Sequence, residues 1–366
     1  MSLDLLQLDQ IQEARRQIEI CNACRYCEGF CSVFPAMTRQ KAFADGDITH
    51  LANLCHNCRG CYYSCQYTEP HEFALNLPAA LAEVRVASWE RLIQPQAVAR
   101  LFHAQGVAMA GLLIALLAGF FWALAALKPD AGDGFYAYLA HNTMVALFVP
   151  AFVTPLALIG FGLRSYWREV GAGPLRMAAV WAGLHDAARL KNLSGGQGQG
   201  CNFEEGDRYS DRRRIHHQLM MYGFLLCFAS TSTATVMHYG LNWPAPYPWW
   251  APPKLLGVPG GVMMTIGAIG LGWLKTKADP ALGAARVWGG EMAFILLLGL
   301  VASTGLALYL ATGTGLVGPL LALHLACVMT LFLLMPFSKM VHGFFRLTAL
   351  IAEANTKAQT KAAPKA

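Results

Sequence analysis

The chain has 366 residues, of which 55% are apolar and only 14% charged, with a formal net charge of +6. An average soluble domain carries roughly 25% charged residues, so a wholly soluble protein is excluded. The high apolar content and the lack of a short repeat exclude collagen-like, mucin-like and disordered classes. Charge is also uneven along the chain. Residues 1–105 hold nine Lys and Arg against eleven Asp and Glu, whereas long apolar runs begin at 106. This predicts a soluble domain over 1–105, a membrane domain over 106–346 with a polar connection at 164–216, and a Lys-rich tail at 347–366. No basic stretch followed by an apolar core opens the sequence, so no secretory signal is expected.

Eight of the eleven cysteines fall between Cys21 and Cys65. Cys21, Cys24, Cys27 and Cys31 lie in CNACRYCEGFC, and Cys55, Cys58, Cys61 and Cys65 in CHNCRGCYYSC. Both runs read C-x2-C-x2-C-x3-C. A disulfide framework needs an oxidising compartment, which nothing in this domain calls for. Zinc sites usually pair two short C-x2-C units over a longer gap. Two iron–sulfur clusters need eight thiolates, and this spacing is that of bacterial two-cluster ferredoxins. On that precedent, Cys21, Cys24, Cys27 and Cys65 hold one [4Fe–4S] cluster, and Cys55, Cys58, Cys61 and Cys31 hold the second. Ferredoxins place Pro after the fourth Cys, where this chain has Ser32 and Gln66. The flanking segments QIQEARRQIEI and LNLPAALAEVRVASWERLI look helical, which predicts a helical ferredoxin-like domain facing a reducing cytoplasm.

Six apolar stretches reach the roughly 20 residues needed to span a bilayer. They are 106–127, 141–163, 217–238, 255–274, 290–311 and 317–342. The fourth is rich in Gly, which in membrane helices marks close packing more often than a break. The connection 164–216 carries nine Lys and Arg, 275–289 three and the segment from 343 four, against only Lys128 and Lys254 on the other side. The positive-inside rule then puts both termini in the cytoplasm, in an inner membrane. Between the second and third spans, GGQGQG (195–200) followed by Cys201 reads as a flexible linker, not a nucleotide fingerprint.

Histidines within a membrane domain are functional candidates by default. The third span begins with His216 and His217 and ends with His238; the sixth carries His324 and His342. These spans run antiparallel, so His216 or His217 matches the depth of His342, and His238 that of His324. On one straight helix, His324 and His342 project from the same face, about 27 Å apart. Facing imidazoles at one depth suit a bis-histidine haem b, giving one haem or two. Arg212, Arg213, Arg214 and Lys339 are candidates to neutralise haem propionates. Glu291, Lys339 and His342 are candidates for proton supply to a quinone. His103 and His141, at the starts of spans one and two, are weaker ligand candidates.

The segments ICNACRYCEGFCSVFPA (20–36), CHNCRGCYYSCQYTEPHEF (55–73), RRRIHHQLMMYGFLLCFASTSTATVMHYGLNWPAPYP (212–248) and LALHLACVMTLFLLMPFSKMVHGFFR (321–346) together resemble the tricarballylate-utilisation protein B family, also called CitB-type. The likeness covers nearly the full length. It implies an all-α electron-transfer protein, with a helical two-[4Fe–4S] domain ahead of a six-helix haem-b bundle. The implied partner is an FAD-dependent tricarballylate dehydrogenase, whose reduced flavin is reoxidised with quinone as acceptor. The chain itself has no paired carboxylates, nucleophile–base arrangement or nucleotide motif, so no catalytic residue is assigned and it is not expected to be the substrate-binding dehydrogenase. No nucleic-acid partner is expected. Alternatives are the same relay for another flavoprotein, such as one oxidising precorrin in vitamin B12 synthesis, or a citrate-type transporter.

Overall fold

A computed structural model describes residues 3–127 and 134–362, which form helices and turns with no named strand. Lys128 and residues 363–366 of the expected tail lie outside the described residues. Five helices precede the membrane domain: α1 (Leu3–Cys24), α2 (Val33–Met37), α3 (Asp45–Leu54), α4 (Gly60–Tyr63) and α5 (Leu77–Leu92). Helix α3 starts where the Asp47 carboxylate accepts the Ala44 N–H at 2.9 Å, and α5 where the Asn76 side chain accepts the Ala79 N–H at 3.2 Å. Both satisfy amide groups left over at a helix start. Ala14 and Ile18 on α1, Ile48 and Leu51 on α3, and Leu77, Leu81 and Val84 on α5 are buried together in one core. The 3.6-residue period of α5 places those three on one face.

Six helices are long and apolar enough to cross a membrane: α6 (Gln96–Leu127), α7 (His141–Glu169), α9 (Arg212–Gly240), α10 (Pro252–Lys277), one spanning Ala285–Leu310 whose α-helical part is α11 (Trp288–Leu310), and one spanning Val317–Phe337 whose α-helical part is α12 (Val317–Leu334). Their outward faces are apolar, as with exposed Leu112, Leu116 and Phe120 on α6. In a water-soluble protein such a stripe would be turned inward. Helix α6 kinks at Gln105, one residue before the expected first span.

Glycines set the closest helix contacts. A Cβ on Gly223 of α9 would stand 2.6 Å from the Met264 amide nitrogen of α10, and one on Gly267 would stand 2.6 Å from that of Met220. Helices α9 and α10 therefore pack along their length at backbone contact, as small residues permit in a bilayer. Helix α12 packs instead on α6, α7 and α11.

Two elements depart from expectation. The sixth span is not one continuous helix to residue 342. Helix α12 ends at Leu334, Met335–Phe337 form a 3-10 turn containing Pro336, and α13 (Val341–Ala362) begins anew. Proline has no amide proton to continue the ladder. The assumption that His324 and His342 share one straight helix therefore fails. The segment expected as a tail is helical to residue 362 and packs on α3, α7 and α8 (Met177–Ala188), burying Phe345, Ala349 and Leu350.

The expected linker is also packed. Residues 189–211 form a strap over the cysteine domain. Ser32 donates to the Asn192 side chain at 2.8 Å, the Asn202 N–H donates to the Cys58 carbonyl at 2.9 Å, and Arg59 donates to the Phe203 carbonyl at 3.1 Å. A Cβ on Gly196 would stand 2.6 Å from the Gly29 carbonyl oxygen. The glycines of GGQGQG serve this close approach and left-handed turns at Gly195, Gly198 and Gly200. Cys201 is buried in the strap, its backbone paired with Ser210.

Candidate functional site

The first cysteine run spans the last turn of α1 and the turn that follows it, and the second spans the segment between α3 and α5, with Cys61 in the short helix α4. One cavity, of about 250 Å³, is lined by Cys21, Cys24, Cys27, Cys61 and Cys65. A second, narrower cavity is lined by Cys31, Cys55, Cys58 and Cys61. The fourth cysteine of each run thus lines the cavity of the other. Cys24 is exposed and Tyr26, beside it, is 70% exposed, so the first cavity opens at the surface. The second lies under the strap and against α5, next to Asn192, Leu77 and Leu81.

The donor set is all sulfur, and among the described residues no three His, Cys, Asp or Glu side chains are grouped closely enough to hold a single metal ion. All eight sulfurs are free thiols. Burial, and then the neighbouring Cys65, push the Cys21 thiol up to about 12; Cys27 is pushed to about 12 by the same two causes. Burial and Cys55 push Cys58 to about 11. Thiols so crowded hold their protons until a bound cation compensates the thiolate charge, the behaviour of a cluster or metal site. The loop also directs peptide N–H groups at sulfur: Asn57 N–H reaches Cys55 Sγ at 3.4 Å and Tyr67 N–H reaches Cys65 Sγ at 3.3 Å.

At the end of the bundle nearest these cavities, the rings of His217 and His342 meet edge-on, with centroids 5.9 Å apart and planes at 86°. Two imidazole nitrogens each about 2 Å from one metal place their ring centroids about 6 Å apart, so His217 and His342 are spaced as two residues that would hold one metal ion between them. His342 Nδ1 is held by the Lys339 carbonyl, leaving Nε2 for a metal. His217 Nδ1 is buried without a partner. His216 turns elsewhere: its ring packs on Gly270 of α10. Of the two adjacent histidines, His217 is the one that meets His342.

The outer histidines are arranged otherwise than expected. His238 does not pair with His324; it stacks on His141, centroids 4.3 Å apart and planes at 17°. That spacing is shorter than two ligands of one iron require. His324 Nδ1 instead meets the Thr304 hydroxyl at 3.0 Å. The cause is helix packing: α9 lies along α10, while α12 belongs with α6, α7 and α11. His103 is buried against Glu90 at 2.6 Å, and Arg286 joins Glu90 at 2.8 Å. Burial opposes the Glu90 charge, but these hydrogen bonds outweigh it and hold its pKa below the usual carboxylate value.

The basic residues proposed for propionates have protein partners. Arg212 pairs with Glu205 at 3.4 Å, Arg213 donates to the Asn57 carbonyl at 2.7 Å, Arg214 to the Arg189 carbonyl at 3.2 Å, and Lys339 to Glu291 at 2.6 Å. Glu291 also pairs with Lys275. Two groups around the second cavity were not foreseen, Arg85 and Arg346, although the four-residue spacing from His342 to Arg346 was visible in the sequence.

Fold and site together define a multi-pass membrane protein with a helical, Fer4-like N-terminal domain. The chain belongs to the citrate utilization protein B family, as its sequence resemblance implied: the family profile matches residues 92–363, and the family's Fer4-like domain matches 14–90. Citrate utilization protein B of Escherichia coli is 43% identical over 357 residues, covering 96% of this chain and 94% of that protein. No solved structure matches the chain. The junction of the two profiles falls in the last turn of α5, just ahead of α6.

Proposed function

We propose that this chain is a membrane electron-transfer protein of citrate-type carboxylate utilisation. It reoxidises the reduced flavin of a partner tricarballylate-type dehydrogenase and delivers the electrons to quinone. The observation that carries the reading is the crossed lining of two thiol cavities beside a pair of histidine rings 5.9 Å apart. Cys21, Cys24, Cys27 and Cys65 would hold one [4Fe–4S] cluster, Cys31, Cys55, Cys58 and Cys61 the other, and His217 with His342 one haem b. These groups supply one-electron chemistry, which splits the two-electron oxidation of a flavin into single transfers.

The residues themselves do the rest. Cys24 and Tyr26 present the first thiol set at the surface, where a soluble flavoprotein can dock. The strap and α5 keep water from the second set. The Lys339 carbonyl fixes the orientation of His342, and Glu291 holds the Lys339 ammonium in the same place.

The test is purification under anaerobic conditions with metal and sulfide analysis. About eight irons and eight acid-labile sulfides per chain are expected, with a b-type haem band in the reduced-minus-oxidised spectrum. His342→Ala should remove that band. Zinc without acid-labile sulfide would overturn the cluster assignment, and an unchanged haem spectrum in His342→Ala would overturn the ligand pair.

A further inference from the structure

Three consecutive backbone carbonyls of the second cysteine run face arginines. The Cys55 carbonyl accepts from Arg85 at 2.8 Å and from Arg346 at 2.9 Å. The His56 and Asn57 carbonyls accept from Arg213 at 3.1 and 2.7 Å. Positive φ angles at Asn57 (53°) and Arg59 (68°) shape this loop, whose carbonyls meet the guanidiniums while the Asn57 N–H turns to Cys55 Sγ. Arg85 is buried, and Arg213 and Arg346 are half-buried.

The first run is built differently. Among the described residues, one guanidinium meets a backbone carbonyl of residues 21–31: Arg25, itself exposed, on Asn22 at 3.1 Å. Its cavity opens to solvent at Cys24.

The arginines are also tied to the histidine pair. Arg213 precedes His217 by four residues on α9, and Arg346 follows His342 by four residues on α13. Four residues are about one helical turn. The two helices that present these imidazoles thus each send a guanidinium, from the next turn, to the same three-residue stretch of the cysteine loop. Phe203 of the strap steadies this end, with Arg213 over its ring at 4.1 Å and Arg59 at 4.7 Å. The acidic groups nearby are largely matched: Glu291 by Lys275 and Lys339, Glu353 by Arg39 and Lys357. Glu204 and Asp211 lie in the strap beside Cys201, which Arg213 also faces; neither Glu204 oxygen has a hydrogen-bond partner, so Arg213 is the cation set against them.

We infer that Arg85, Arg213 and Arg346 give the second cysteine set a higher affinity for an electron than the first, so that electrons move inward to the His217–His342 pair. This rests on the two-cluster reading above. Burial alone disfavours added negative charge. Guanidiniums at hydrogen-bond distance from the loop reverse that preference, because their attraction is poorly screened away from water. Hydrogen bonds to sulfur raise electron affinity in both sets alike, one N–H meeting Cys55 and one meeting Cys65, so the difference rests on the arginines. In the step itself, one electron leaves the first site, which is oxidised, and enters the second, which is reduced. No bond forms or breaks and no proton moves.

The test is an EPR-monitored redox titration of the full-length protein in membranes. Cys24→Ser and Cys58→Ser assign the two signals. In the wild type, the second site should be reduced first on lowering the potential. Arg346→Met and Arg213→Met should each lower its electron affinity relative to the first site about tenfold, which is about 59 mV for one electron. Arg346→Lys, which keeps the charge, should shift it less. A first site that titrates above the second, equal shifts in both, or no shift would overturn the inference while leaving the two-cluster reading intact. Loss of the second signal in both Met variants would also overturn it, making the arginines scaffold alone. A wild-type protein without iron and sulfide would sink both readings.

Discussion

Cys31 and Cys65 each close the cavity opened by the other run. We predict that Cys65→Ser perturbs the same EPR signal as Cys24→Ser, and Cys31→Ser the same signal as Cys58→Ser; pairing within each run would refute the crossing. The cysteine spacing made this arrangement legible through its likeness to bacterial two-cluster ferredoxins, in which the fourth Cys of each run serves the other cluster. The histidines were harder to read. Depth along a helix follows from counting residues, and His217 does lie beside His342. Which helices touch does not follow from counting, and His238 therefore found His141 in place of His324. Glu353 shows another residue-level dependence. Burial opposes its charge, but the neighbouring His50 ring at 3.6 Å and the Arg39 hydrogen bond hold its pKa at about 2, below the ordinary 4.5. A depressed carboxylate stabilises the fold fully above its unfolded value and loses that contribution as pH falls through the folded one. The docking of α13 should therefore weaken between about pH 4.5 and about pH 2, read as faster amide exchange along α13. Glu353→Gln should remove most of that pH dependence.

At the scale of the helices, glycine chooses partners. Gly223, Gly260 and Gly267 bring α9 and α10 to backbone contact, whereas a Cβ on Gly272 would meet only Ile295 at 3.8 Å. Gly267→Ala should lower the thermal midpoint in detergent, since the obstructing atom belongs to backbone; overpacking of this kind costs about 1–3 kcal/mol. Gly272→Ala should be near neutral, and equal effects would remove packing as the explanation. The hydropathy of each span was readable because 20 apolar residues admit few other fates. The break after Leu334 was not, since Met335, Phe337 and Met340 keep the segment apolar through a turn that is set by Pro336 and the restart at Val341. Nor was the strap, because a glycine-rich sequence reads alike whether it is loose or pressed against a carbonyl.

Across the whole molecule, the polar connections at 164–211 and 278–287 and helix α13 all converge on the cysteine domain. Arg91 pairs with Glu169 at 2.6 Å, Asn57 donates to the Leu282 carbonyl at 2.8 Å, and Arg39 pairs with Glu353 at 2.5 Å. The Lys- and Arg-rich segments therefore share one end of the bundle with the thiols. We propose that this end faces the cytoplasm, and reporter fusions within 164–216 and within 243–251 should report opposite sides. Equal signals would contradict the topology. The scarcity of charge in the composition thus has a spatial meaning that percentages alone did not carry. Convergence also bears on biosynthesis. The walls of the second thiol cavity come from residues 30 to 192 and the arginines beside it reach residue 346, so that site is incomplete while the ribosome is still making the last helix. The first cavity is built within residues 21–78. Maturation should accordingly be sequential: a chain ended after Met340, lacking His342 and Arg346, should acquire iron at the first site and stay deficient at the second, as measured by sulfide content and EPR. Full loading of that shortened chain would show that cluster insertion does not wait for the C-terminal helix to return from the membrane.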